Sequence, residues 1–237
     1  MVASTPLQWL DPRDTEAPFP DVEFALREPN GLLAVGGDLS PARLLRAYRH
    51  GIFPWYSEDQ PILWWSPDPR SVLYPERLKV SRSLRKTLRR NIFTVTADTS
   101  FRRVIGHCAA PRRGGSGTWL TGEMVEAYCR LYTMGYAHSV ESWCAGELAG
   151  GIYGLSLGRI FFGESMFSLR SNASKVAFVH MVEHLKKWGY VLIDCQVESA
   201  HLASLGAETI PRRDFIDILN HHCGVANAWG PWDGYYE

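Results

Sequence analysis

Two polar residues stand two positions apart inside an apolar, β-branched run. The run YVLIDCQV, residues 190–197, is typical of a buried strand, yet it contains Asp194 and Gln196. Successive strand side chains point to opposite faces, so these two share one face. A covered amide left without a hydrogen-bond partner costs about 1–3 kcal/mol, and a carboxylate costs more. The pattern is compatible with a hydrogen-bonded pair of core residues, with a strand end that reaches solvent, and with a pair that performs chemistry.

A second carboxylate favours the chemical interpretation. Glu164 lies in the aromatic strand FFGESMF, directly after Gly163. Glycine within a strand often marks a bulge or a place where a ligand approaches the backbone, and a bulge would redirect Glu164. Two acids and an amide among Phe and Ile side chains indicate an apolar pocket with a few oriented polar groups.

Tryptophans and basic residues point to nucleic acid. Trp55 lies in a Pro-rich turn and Trp119 follows RRGGSGT, whereas at least one of Trp64 and Trp65 is expected in the core. Exposed aromatic rings can stack on unpaired bases, at about 1–3 kcal/mol per base. Residues 77–113 hold eleven of the 25 basic residues and one of the 25 acidic residues. Such a run is usually a solvated helix face, but its density favours phosphate binding.

Composition excludes several other classes of protein. The 237 residues form one large domain or two small ones, and the net charge is zero. No apolar run approaches the ~20 residues of a membrane span, and MVASTPLQWL lacks the features of a signal peptide, so we expect a cytoplasmic protein. Five scattered cysteines without paired spacing favour reduced thiols over disulfides or a zinc site, and we expect no metal.

Local signals predict the elements that must position these residues. LSPARLLRAYRHG reads as a helix capped by Ser40, and SRSLRKTLRRN as a basic helix capped by Ser81 or Ser83. The Pro- and Trp-rich segment between them predicts a domain boundary near residue 70. A helix in TGEMVEAYCRLYTMG precedes three strands joined by tight turns, a helix capped by Asn172, and the strand YVLIDCQV. This order predicts an α+β or α/β fold layered around one sheet.

Many blocks of the sequence resemble, in order, the leucyl/phenylalanyl-tRNA-protein transferase family. They include LLAVGGDLSPARLLRAYRHGIFPWYS, ILWWSPDPRSVL, GTWLT, FFGESMFS, NASK and LIDCQVESAHLASLGAETIPRRDF. The resemblance implies a small N-terminal α/β domain at 1–69 and a catalytic domain similar to GNAT acetyltransferases at 70–237. It also implies transfer of Leu or Phe, and less readily Met, from aminoacyl-tRNA to proteins with N-terminal Arg or Lys. The products would be degraded through the bacterial N-end rule.

The resemblance assigns roles to residues at matching positions. Asp194 and Gln196 match the proposed catalytic pair, and Trp55 and Trp119 match contacts to the 3′-terminal adenosine. The aminoacyl pocket would comprise Glu164, Ile152, Phe161, Gly163 and Ile193, and the tRNA phosphates would be bound by Arg82, Arg85, Lys86, Arg89 and Arg90. Leu-tRNA, Phe-tRNA and Met-tRNA are then the expected partners, with no cofactor, and nothing in the sequence requires more than a monomer.

The expected chemistry is attack of an amine on an ester that is already activated. Such a reaction needs neither ATP nor a metal, but it needs alignment and handling of a proton. A carboxamide is a very weak base, so Gln196 would position the amine while Asp194 polarises it or relays the proton. Glu164 would hold the α-ammonium group of the esterified amino acid. An apolar pocket for unbranched or γ-branched side chains would tolerate Leu, Phe and Met.

Two other functions compete with this one. A GNAT-like fold would fit acetyl-CoA-dependent N-acetylation, but SLRSNASK lacks the glycines of a pyrophosphate-binding turn. An RNA-binding protein without enzymatic activity would explain the basic run and the tryptophans. It would leave Asp194, Gln196 and Glu164 without a purpose.

Overall fold

A computed structural model describes residues 7–111, 120–225 and 232 as a mixed α/β fold. Most neighbouring strands run antiparallel, in agreement with the α+β interpretation. The strands form two sheets, whereas the order of the elements predicted one. The strands are β1 (Gln8–Leu10), β2 (Leu32–Gly36), β3 (Phe53–Pro54), β4 (Leu63–Trp65), β5 (Arg70–Leu73), β6 (Thr94–Ala97), β7 (Ala137–Cys144), β8 (Glu147–Leu157), β9 (Ile160–Ser168), β10 (Leu192–Gln196) and β11 (Glu208–Ile210).

Seven α-helices and two short 3₁₀ turns accompany the strands within the described residues. The helices are α1 (Pro41–Arg49), α2 (Arg82–Arg89), α3 (Phe101–Ala109), α4 (Gly122–Thr133), α5 (Ala173–Lys187), α6 (Ala200–Ser204) and α7 (Arg212–His222). In this part of the chain we find no helix with the length and apolarity that crossing a bilayer requires.

The larger sheet has the order β11-β5-β10-β9-β8-β7-β6, and the smaller has the order β1-β2-β4-β3. Within the larger sheet every neighbouring pair is antiparallel except β9 and β10. That parallel pair is connected through α5, since parallel strands need a crossover. The β7-β8-β9 meander and the helix after it match the predicted order.

The two faces of the larger sheet are covered differently. One face packs against α5 and α2, in a cluster that contains Phe161, Ile193 and Leu84. The other face, which carries Phe162, packs against α1, α3, α4 and α7 and joins the core of the smaller sheet. The two sheets therefore share one hydrophobic cluster. The division into 1–69 and 70–237 stays a prediction.

The predicted helix caps are confirmed with one exception. The hydroxyl of Ser40 accepts from the N–H of Arg43, and that of Ser81 accepts from Leu84. Asn172 occupies the N-cap position of α5, as predicted, but its backbone is left-handed and its side chain accepts no capping bond. Its amide instead donates to the hydroxyl of Thr87 on α2. A tertiary contact has replaced the local one.

Candidate active site at the separation of two parallel strands

The larger sheet opens where β9 and β10 separate. Their parallel ladder ends at the pair formed by Asp194 and Phe162. The β8–β9 ladder shifts register where Gly154 faces Gly163, and the β10–β5 ladder shifts between Asp194 and Gln196. The irregularity expected at Gly163 is therefore present. Two neighbouring irregularities, on the central strands β9 and β10, redirect the side chains that follow them.

Gln196 lies at this opening in a left-handed backbone conformation. Its φ is 55°, which is unfavourable for a residue with a side chain. Its N–H donates to Oδ1 of Asp194 at 2.9 Å, and the N–H of Val197 donates to the carbonyl of Cys195 at 2.7 Å. The aspartate therefore secures the turn that presents Gln196.

Asp194 is itself held by a buried ion pair. Arg70 Nε donates to Oδ1 at 2.8 Å and Nη2 donates to Oδ2 at 2.6 Å, and both side chains are fully buried. The third guanidinium nitrogen, Nη1, donates to the carbonyl of Gly51 at 2.9 Å. Both oxygens of Asp194 are thus occupied inside the protein. Asp194 is also absent from the lining of the cavity described below.

Glu164 forms a compact cluster with two tyrosines from different helices. Its carboxylate accepts from the hydroxyls of Tyr48, at 2.7 Å, and Tyr128, at 2.8 Å. The two hydroxyls lie 2.6 Å apart. Nε2 of Gln196 donates to the same carboxylate at 3.4 Å, which joins the predicted residues Gln196 and Glu164.

Three short oxygen–oxygen contacts, one between the two hydroxyls and one from each hydroxyl to Glu164, close a ring that we call the hydroxyl ring. Each contact needs one proton to be a hydrogen bond, so the ring needs three. The hydroxyls of Tyr48 and Tyr128 supply two of them, so one contact lacks a proton when Glu164 is ionised. Burial raises the pKa of Glu164 to about 7, and the negative charge of Asp194 adds to the rise, although the tyrosine hydrogen bonds oppose it. Burial also raises the pKa of both tyrosines well above their ordinary value. The cluster therefore fits a proton or a bound cation.

A cavity of about 200 Å³ lies in front of these groups. Its lining consists of Phe53, Pro54, Trp55, Glu164, Cys195, Gln196 and Val197. The wall is largely apolar, with a carboxylate and an amide as the oriented polar groups, which is the composition of a small-molecule site. Burial raises the pKa of the Cys195 thiol far above neutrality, so Glu164 is the group of this lining that can exchange a proton near pH 7.

The structure places the remaining pocket residues behind this cavity. Ile152, Phe161 and Ile193 are nearly fully buried in the cluster beneath α5, on the sheet face opposite Glu164. Gly163 stands at the opening, and a Cβ atom built there would lie 3.6 Å from the carbonyl oxygen of Asp194. Their role as the aminoacyl pocket stays a prediction.

The residues expected to contact tRNA are exposed where they are described. Trp55 is 43% exposed, borders the cavity, and packs against Trp65 with ring centroids 5.8 Å apart. Trp119 lies outside the described residues. The predicted phosphate-binding residues are exposed, four of them on α2 and one at its C-cap: Arg82, Arg85, Lys86, Arg89 and Arg90. Within the described part of the chain none of them pairs with an acid.

Sequence reasoning did not identify Arg70, Tyr48 or Tyr128 as site residues. Tyr48 and Tyr128 lie on the apolar stripes of α1 and α4 and are typical of core residues. Arg70 stands in SPDPR, where only the short apolar sequence after it indicates burial. A buried arginine needs a buried acid, so the pairing with Asp194 could have been suspected but not located.

Comparison with known proteins shows what the chain is similar to. The sequence profile of the family "Leucyl/phenylalanyl-tRNA protein transferase" matches residues 72–220, and that of its N-terminal domain matches residues 37–68. A protein of that name from Nitrosospira multiformis is 58% identical over 226 residues, covering 95% of this chain and 96% of the relative. Another, from Aromatoleum aromaticum, is 62% identical over 214 residues, covering 90% of each.

Similarity to solved structures is weaker. A GCN5-related N-acetyltransferase from Kribbella flavida superposes with a TM-score of 0.37 at 11% identity, covering 71% of this chain and 60% of the other. A score of this size supports no conclusion about the chain.

Proposed function

The chain belongs to the leucyl/phenylalanyl-tRNA-protein transferase family, and we propose that it transfers Leu or Phe, and less readily Met, from aminoacyl-tRNA to an N-terminal Arg or Lys of a protein. It is thus an acyltransferase. The observation that carries the proposal is the cavity where Glu164 and Gln196 meet beside Trp55. The product would enter the bacterial N-end rule pathway.

Glu164 would bind the α-ammonium group of the esterified amino acid. The hydroxyl ring lacks one proton when Glu164 is ionised, and an ammonium group brings three N–H donors to the same place. A cation beside the carboxylate also favours its ionised form, which offsets the effect of burial. The ester would then be directed toward Gln196.

Gln196 would orient the attacking amine. Its amide oxygen can accept an N–H of the neutral amine while Nε2 faces Glu164. The nitrogen forms a bond to the ester carbon, the bond from that carbon to the ribose oxygen breaks, and the amine proton ends on the departing oxygen. No net proton acceptor is required, and the buried Asp194 contributes by positioning Gln196.

The acceptor end of the tRNA would approach over Trp55 and α2. Trp55 presents an exposed ring at the cavity rim, where the terminal adenosine could stack. Helix α2 presents a basic surface without acidic partners among the described residues, and it packs on α5 through Leu84. Such a surface recognises charge and shape rather than sequence. The protein would act as a cytoplasmic monomer.

Transfer assays with defined substrates test the proposal. Radiolabelled Leu-tRNA is incubated with the protein and with otherwise identical acceptors that begin with Arg, Lys or Ala. We expect label on the Arg and Lys acceptors alone, and a loss of at least 100-fold in Gln196→Ala but not in the control Gln60→Ala, which lies in an exposed turn. Equal labelling of the Ala acceptor would contradict the acceptor specificity. Absence of transfer to any acceptor would reject the function.

A further inference from the structure

We propose that Arg70 is a positioning residue for aminoacyl transfer, which acts through Asp194 to hold Gln196 at the reacting groups. The inference rests on the proposed function and adds a residue to it. Arg70 lies 124 positions from Asp194 in the sequence and does not line the cavity described above. It cannot touch substrate, because its side chain is fully buried.

The surroundings of Arg70 require a guanidinium group. Three of its nitrogens donate to fixed acceptors: Nε and Nη2 to Asp194, and Nη1 to the carbonyl of Gly51. The ring centroids of Phe53 and Phe215 lie 4.9 Å and 4.6 Å from its central carbon. A flat cation with several donors fits between two rings, whereas a lysine ammonium offers neither the planar fork nor the stacking surface.

Asp194 transmits this arrangement to Gln196. Oδ1 of Asp194 accepts both Nε of Arg70 and the N–H of Gln196. The left-handed conformation of Gln196 is unfavourable by roughly 1–2 kcal/mol, so a well-oriented acceptor is needed to keep it populated. Without Arg70 the carboxylate is free to rotate, and Gln196 loses its fixed acceptor.

Arg70 also supports the other polar group of the cavity. Gly51 follows the end of α1, and α1 carries Tyr48, whose hydroxyl donates to Glu164. One guanidinium therefore connects the turn that carries Gln196 with the helix that holds Glu164. The distance between these two groups, 3.4 Å from Nε2 to Oε1, depends on both connections.

A double-mutant cycle tests whether Arg70 acts through Asp194. The variants are Arg70→Lys, Asp194→Asn and the double substitution, and rates are measured per folded molecule at saturating aminoacyl-tRNA. Arg70→Lys keeps a positive charge, so it does not leave the buried carboxylate without a counter-ion. We expect kcat to fall about 100-fold, as for small misplacements of reacting groups, with KM for aminoacyl-tRNA changed less than threefold. The double variant should be no slower than Asp194→Asn, because the effects share one route.

Arg43→Lys provides the matched control. Arg43 is also fully buried and also paired with an acid, Asp38, but it lies outside the cavity lining. Its substitution should lower thermal stability without lowering kcat. The double variant leaves a buried cation beside a neutral amide, which can destabilise the fold. Circular dichroism of each variant therefore shows whether a lower rate reflects loss of folded protein.

Three results would overturn the inference. They are a kcat within twofold of wild type in Arg70→Lys, additive losses in the double variant, or an equal loss in Arg43→Lys. The first of these results, together with loss of fold in Arg70→Lys but not in Arg43→Lys, would assign Arg70 to stability alone. Failure of the wild type to transfer any amino acid would instead reject the proposed function, and this inference with it.

Discussion

Replacing Glu164 by Gln should stabilise the protein, and more strongly at pH 8 than at pH 5. Burial raises the pKa of Glu164 from its ordinary 4.5 to about 7, so the folded protein retains a proton that the unfolded chain has already lost. The retained proton contributes to the free energy of unfolding. This stability is fully present below about pH 4.5 and is lost as the pH rises toward 7. Glutamine resembles the protonated acid at every pH. The stability gain of the variant should therefore grow across this window.

The magnitude follows from the two pKa values. The difference between 4.5 and about 7 corresponds to roughly 3 kcal/mol. Glu164 borders an open cavity and water screens part of the effect, so we expect an observed gain of about 1–2 kcal/mol at pH 8. For a chain of this length that is a rise in Tm of roughly 2–8 °C. At pH 5 the two proteins should melt within about 1 °C of each other.

Thermal and urea unfolding at pH 5, 6, 7 and 8 measure the effect. Glu126→Gln is the control, because Glu126 is exposed and its pKa is lowered by the hydrogen bonds and charge of Arg102, the opposite of Glu164. The free energy of unfolding of Glu126→Gln should not increase relative to wild type as the pH rises from 5 to 8. A stability difference for Glu164→Gln that is constant from pH 5 to 8, or that favours wild type at pH 8, would refute the proton count of the hydroxyl ring.

Three further predictions concern substrate binding and the strand opening. Trp55→Ala should weaken binding of aminoacyl-tRNA by about 1–3 kcal/mol in a filter-binding assay, whereas Trp9→Ala, more exposed and outside the cavity, should leave it unchanged. Neutralising the exposed basic residues of α2 should weaken tRNA binding and make the slope of log K against log salt concentration shallower by about 0.7–0.9 for each lost phosphate contact. An unchanged slope would contradict a phosphate-binding surface. Gly163→Ala should fold normally, since its Cβ has room, and should lose transfer activity if the opening admits substrate. The control Gly154→Ala should instead lose stability, because its Cβ would lie only 2.1 Å from a carbonyl oxygen. Near-normal activity of Gly163→Ala would show that substrate does not enter at the opening between β9 and β10.

Helices and strands could be predicted because their signals are local. Serine caps, apolar stripes and tight turns act within a few residues, so the bounds of α1, α2 and the β7-β8-β9 meander followed from the chain itself. The prediction failed where a distant residue competed with a local bond. Asn172 stands at the N-cap of α5, but its side chain donates to Thr87 instead of accepting a capping bond, and no local pattern indicates such a contact.

The face of a side chain could be predicted where alternation continues, as it does for Phe161 and Phe162 on β9. It could not be predicted beyond Asp194, because the ladder shifts register there and Gln196 leaves extended geometry. The complete burial of Asp194 could not be predicted from the sequence either. Asp194 was expected to handle the proton of the amine, an interpretation for which its accessibility was never established from the sequence.

The sequence by itself determined which residue types were available for chemistry: a carboxylate and an amide on one strand, a second carboxylate after a glycine, and a basic helix. Only the tertiary structure decided what each can do. Arg70 and Asp194 are 124 residues apart, and Tyr48 and Glu164 are 116 apart, yet both pairs are in hydrogen-bond contact. Accessibility and pKa depend on such distant neighbours, because desolvation and charge act through space and not along the chain.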